Sequence, residues 1–131
     1  MTAAIDASAL LAMLFAERGA VTVAEVIANG AATSAVNLSE VATVLVRHQR
    51  DPEKILGPVC EQLAVEPFTD ADALVAAALY PKTASKGLSL GDRACLALAH
   101  RLGLTAVTAD QAWAELDLDI TVQLIRPRAP A

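Results

Sequence analysis

The chain has 131 residues, 55% of them hydrophobic but only 3% aromatic, so its core must be built from Ala, Val, Leu and Ile. That length suits one domain with a modest single core. The net charge of −5 and a pI of about 4.8 exclude a basic nucleic-acid platform of the usual kind, so a polyanionic substrate would need positive charge supplied locally.

Taken in chain order, residues 2–5 read as a short buried strand. Residues 7–16 suit a helix with Leu10, Leu11, Leu14 and Phe15 on one side, broken at Gly19. Residues 21–29 read as a second helix that stops at Gly30. Residues 32–36 are expected as a strand, after which Asn37 opens a helix to about Gln49, ended by Asp51 and Pro52. A helix over 52–63 is expected to be interrupted at Gly57-Pro58, and 65–67 is a short strand or turn. Residues 69–79 are helical, with Pro81 closing the segment. The pattern then predicts a strong helix over 90–102, a strand over 104–108, a short helix over 111–116 and a last strand over 120–125. Strands alternating with helices imply an α/β domain with a mostly parallel central sheet. Residues 1–126 form one domain on this reading, and 127–131 a short loose tail.

Cys60 and Cys95 are far apart and show no zinc-ligand spacing. Buried, reduced thiols fit an intracellular, cytoplasmic protein. The start lacks a basic leader, Asp6 interrupts its apolar stretch, and no apolar run approaches the roughly 20 residues that span a bilayer. Mean hydropathy of +0.46 leaves apolar surface to cover, which points to self-association or a bound partner.

Four acids stand out: Asp6, Glu40, Asp92 and Asp110, each expected at the start of a helix. Every one has a structural explanation. Asp6 and Asp110 can cap the helices that follow them. Asn37/Glu40 and Ser89/Asp92 have the spacing of a capping box. Capping also keeps a carboxylate ionised, as a metal ligand must be. Two like charges about 5 Å apart repel by roughly 3 kcal/mol at an effective dielectric near 20. A bound dication removes that penalty. Such a site suits phosphodiester cleavage, with a carboxylate as general base. The hydroxyls of Ser8 and Thr108 lie two residues from Asp6 and Asp110, where they can orient a carboxylate, although local backbone bonding is the simpler account. Asp70 and Asp72 read as caps, Asp117 and Asp119 as turn residues that can at most edge the site. His48 and His100 suit helix ends, and Trp113 the core.

At these positions the chain resembles the PIN domain family, and in particular VapC-type toxin ribonucleases. The segments that carry the resemblance are Ile5–Leu10, Asn37–Val41, Gly87–Ala94 and Thr108–Trp113, in the family's order and over nearly the whole chain. The resemblance implies a three-layer α/β/α sandwich and a Mg2+- or Mn2+-dependent endoribonuclease acting on RNA. It implies metal and catalytic roles for Asp6, Glu40, Asp92 and Asp110, first of all Asp6 and Asp92, with Ser8 and Thr108 in support. It also implies a homodimer neutralised by a small VapB-type antitoxin that blocks the site with a basic side chain. Arg47, Arg50, Arg93, Arg126 and Arg128 are candidates for offsetting RNA charge, with solubility the plainer role. Two other readings compete. One is a non-catalytic module that keeps the fold. The other is a phosphoacceptor domain, which wants a second acid where Ser8 stands or an adjacent acidic pair near the start.

Overall fold

The structure is a computed structural model that describes residues 1–127. Five strands, β1 (Ala3–Ile5), β2 (Ala31–Ser34), β3 (Ala64–Glu66), β4 (Thr105–Thr108) and β5 (Val122–Leu124), form one sheet in the order β3-β2-β1-β4-β5. Every pairing is parallel. The helices are α1 (Ala7–Leu14), α2 (Ala20–Ala28), α3 (Ala35–Arg47), α4 (Pro52–Cys60), α5 (Asp70–Ala78), α6 (Tyr80–Thr83) and α7 (Leu90–Leu102). Single 3-10 turns occupy Ala84–Lys86 and Gln111–Glu115.

Side chains alternate across a strand, and β1 therefore feeds two cores. Ala3 and Ile5 join Ala31, Val107 and residues of α1 to α4, among them Leu10, Val23, Val41 and Leu45. Ala4 faces the other way with Ala32 and Ala106, under Cys95, Leu96, Leu98 and Ala99 of α7. This makes the three-layer α/β/α sandwich. The three alanines sit side by side across the sheet, Ala4 paired with both Ala32 and Ala106. Their small side chains let α7 lie close, so that Cys95 Sγ comes 3.7 Å from the Ala4 carbonyl. Leu96 and Leu98 are at most 1% exposed, and truncating either costs about 2–5 kcal/mol.

Several boundaries differ from the sequence expectation. Helix α3 begins at Ala35, so residues 35–36 are helical rather than strand, and Asn37 does not open the helix. Ser34 is extended and its Oγ accepts from the Val36 N–H at 3.2 Å, which ends β2 and caps α3 together. Pro58 lies inside α4 without interrupting it; the helix ends two residues later, so little of the ladder is lost. Pro81 does not close a segment but sits in the first turn of α6, where its missing N–H needs no partner. Strand β5 is shorter than the predicted 120–125. Trp113 is wholly buried, as expected. Among the described residues no helix is long and apolar enough to cross a membrane. Most of the predicted tail, including Arg128, lies outside the described residues.

Candidate active site

In a parallel sheet the crevice opens beyond the carboxyl ends of strands whose connections run to opposite sides. Here that place is between β1 and β4. Asp6 is the first residue past β1, and its backbone N–H still bonds to the Val107 carbonyl of β4 at 3.0 Å. Its side chain turns back as the N-cap of α1, and Oδ1 accepts from the Ala9 N–H at 2.8 Å. The Ser8 hydroxyl lies 2.8 and 2.9 Å from Oδ1 and Oδ2. Thr108, the last residue of β4, donates its hydroxyl to Oδ2 at 2.6 Å. With both hydroxyl protons directed at the carboxylate, their oxygens are left to accept. Ser8 Oγ takes the Ala109 N–H and Thr108 Oγ1 the Asp110 N–H, each at 3.0 Å. Asp6 is thus held from three sides while only 1% exposed.

Burial pushes the Asp6 carboxyl up to about 6 from an ordinary 3.8. The hydrogen bonds from Thr108, Ala9 and Ser8 pull it down, and the negative charge of Asp92 adds to the rise. This carboxyl therefore keeps its proton to a higher pH than an exposed aspartate, an effect that a nearby cation would oppose.

Asp92 closes a capping box at the start of α7, as its spacing predicts. Its N–H bonds to Ser89 Oγ at 3.2 Å, and its Oδ2 accepts from the Ser89 N–H at 2.9 Å. Glu40 corrects the expectation: it is not at a helix start but in the second turn of α3, because the cap is Ser34 rather than Asn37. Glu40 Oε1 accepts from the Asn37 amide at 2.8 Å, and the same nitrogen donates to the Gly91 carbonyl of α7 at 2.9 Å. Asp6, Asp92 and Glu40 share one neighbourhood. After burial, the charges of these three acids are what push the Cys95 thiol further above its ordinary range. Asp110 is exposed and caps the 3-10 turn through the Ala112 N–H at 3.0 Å. Thr108 links it to Asp6.

Among the described residues, no three His, Cys, Asp or Glu side chains converge closely enough to hold an ion as they stand. The donors are nonetheless all oxygen, which suits a hard dication, and Mg2+ needs only one or two protein carboxylates because it keeps several waters. Asn37 donates its amide nitrogen to Glu40, and its buried Oδ1 has no hydrogen-bond partner among the described residues. The donor set fits such an ion through the Asp6 and Asp92 pair, not through a closed cage.

The PIN domain model matches residues 3–118. The chain belongs to the PIN domain family. No curated protein matches it by sequence. Among solved structures, this PIN domain is similar to a toxin–antitoxin complex from Klebsiella pneumoniae, at 17% identity and a TM-score of 0.75, covering 95% of this chain and 98% of the other. It is similar to Mycobacterium tuberculosis VapC20, a toxin that cleaves the sarcin–ricin loop, at 18% identity and a TM-score of 0.70 over 92% and 99% of the two chains. It is also similar to FitAcB from Neisseria gonorrhoeae, at 19% identity and a TM-score of 0.68 over 95% and 98%.

Beside the PIN-domain acids, a groove of about 470 Å3 runs between α1 and α3, lined by Ser8, Leu11, Phe15, Val44, His48 and Arg126 among others. Arg126 bonds to the Arg18 carbonyl at 3.0 Å. Arg93 is engaged elsewhere, donating to the Ala76 carbonyl of α5 at 2.9 Å and lying over the Tyr80 ring. Arg47 and Arg50 are exposed. Asp119 does not edge the site; it lines a cavity with Thr2 and Thr105, at the opposite ends of β1 and β4. Two residues carry contacts that the sequence reading did not assign them: Asn37, read only as a helix cap, and Gly91, given no role of its own. Asn37 is buried in one stripe with Val41 and Leu45, and a lone amide in an apolar stripe was the available signal. For Gly91 the signal was a glycine inside a helix that continues for eleven more residues.

Proposed function

We propose that this PIN domain is a Mg2+- or Mn2+-dependent endoribonuclease, the toxin of a VapBC-type toxin–antitoxin pair. The observation that carries the reading is Asp6: a fully buried carboxylate at the β1/β4 crevice, oriented by two hydroxyls, with a second acid pressing on its charge. Asp6 and Asp92 would hold the ion. When bound, the metal supplies the positive charge that polarises a phosphate and makes an attacking water acidic. Ser8 and Thr108 fix the direction in which Asp6 presents its oxygens. Glu40 and Asp110 flank the pair, and a carboxylate there can accept a proton from a water within hydrogen-bond reach. The groove beside Ser8 gives an RNA strand an apolar wall and, in Arg126, a cation that it shares with Glu17 of the same groove, 3.9 Å away.

The similar solved structures include toxin–antitoxin complexes from Klebsiella pneumoniae and Salmonella typhimurium, the latter DNA-bound VapBC, which supports a VapB-type antitoxin as the partner here. An acidic crevice favours a basic side chain from that partner. The active toxin is a homodimer that meets its RNA in the cytoplasm. Mapping RNA 5′ ends after expression of wild type and Asp6→Asn tests the proposal: new ends should appear with wild type only. Purified, partner-free protein that binds no Mn2+ in calorimetry and leaves cellular RNA intact would instead establish a non-catalytic module.

A further inference from the structure

Gly91 is the second residue of α7 and is buried. Its backbone is ordinary, unlike the positive-φ glycines 19, 30, 87 and 103, so no turn requires it. Glycine is also a poor helix former compared with alanine. What it provides is space. A Cβ at this position would overlap the carbon and both oxygens of the Glu40 carboxylate. Asn37 completes the arrangement from α3. It is 1% exposed, and its amide nitrogen bridges Glu40 Oε1 at 2.8 Å and the Gly91 carbonyl at 2.9 Å. A buried amide in the stripe it shares with Val41 and Leu45 does not pack as an aliphatic residue would, and its two bonds explain its presence.

We infer that Gly91 and Asn37 are positioning residues that seat the Glu40 carboxylate of α3 against the first turn of α7, one residue from Asp92. Gly91 makes the recess and Asn37 holds one carboxylate oxygen in it. The contribution of this seat to the site rests on the metal-dependent reading above. A methyl group at position 91 meets the far end of a flexible side chain rather than backbone, so Glu40 yields before the helices do. The fold survives and the carboxylate leaves.

Gly91→Ala separates this role from a structural one. In metal-free protein its thermal midpoint should equal or exceed that of wild type, because alanine favours the helix. Its Mn2+ affinity in calorimetry should nevertheless fall by roughly 10–100-fold, the usual scale for losing a group that orients a metal site. A crystal structure of metal-free Gly91→Ala should show Glu40 turned away and its bond to the Asn37 amide broken. Wild-type affinity in the variant, a lowered midpoint, or a carboxylate still bonded to Asn37 would each overturn the inference. Wild-type protein that binds no Mn2+ counts against the metal reading instead, and the crystal structure still decides the seat.

Discussion

Asp6 and Asp72 are both buried, both serve a helix N-terminus and both accept a side-chain hydrogen bond shorter than 3 Å, yet their electrostatics run in opposite directions. Asp72 closes a capping box with Thr69 and meets Arg101 of α7 at 2.9 Å. Burial pushes its carboxyl up, but the Arg101 hydrogen bond, the Thr69 N–H and the Arg101 charge outweigh it and hold the group below its ordinary value. Asp6 receives only neutral donors and a like charge, and stays high. A carboxylate whose cation is supplied by the chain is structural. One that is buried, oriented and given no cation among the described residues is what the proposed metal site would use.

Substitutions can sharpen this contrast. Asp6→Asn should lower metal-dependent RNA cleavage by about 10²–10⁴-fold, the scale of losing a positioned catalytic group, as read in single-turnover assays. The same change should also remove a pH dependence from the stability of the metal-free protein. A carboxyl raised from 3.8 to about 6 by folding favours the folded state below pH 4 and loses that contribution as pH rises through 6. The Asn variant should therefore gain up to about 3 kcal/mol relative to wild type between pH 4 and 7.5. Urea unfolding at the two pH values measures it, and a gap that does not change with pH would mean that Asp6 is solvated.

Thr108→Val keeps the shape of β4 but removes the donor to Asp6 and the acceptor for the Asp110 N–H. Calorimetry should show Mn2+ affinity about 10–100-fold weaker. Ser8→Ala leaves Asp6 its bonds from Thr108 and Ala9, so its loss should stay below about tenfold; a larger loss than that of Thr108→Val would reverse the assigned ranking. Asp72→Asn is the control. It should destabilise the fold by about 2 kcal/mol at pH 7 through the weakened Arg101 contact, while Mn2+ affinity and cleavage per folded molecule stay unchanged. Because its folded carboxyl is held low, this contribution is present above pH 3.8 and fades as pH falls further. The pH trends of Asp6→Asn and Asp72→Asn thus differ in sign.

The local devices were readable in the chain. The Ser89/Asp92 box bonds as its spacing implies, and Asp72, expected only to cap, closes a box with Thr69; a capping box involves only four consecutive residues. Asp6 past the first strand and Asp110 past the strand at 105–108 follow from alternating elements and the open ends of a parallel sheet. Glu40 was misplaced for a physical reason. Ser34 and Asn37 are both good cap residues, three positions apart, and only the end of β2 at Ser34 decides between them.

By itself the sequence determined the α/β alternation and the caps at Asp6, Thr69, Ser89 and Asp110, since each depends on residues within a turn or two of one another. Tertiary structure decided what surrounds them. The Thr108 hydroxyl reaches Asp6 across 102 positions, and the Asn37 amide reaches Gly91 across 54. Those contacts exist because β1 pairs with β4 and α3 packs on α7. Whether Asp6 meets hydroxyls and a like charge, while Asp72 meets Arg101, depends on strand order and helix packing, which no local pattern encodes.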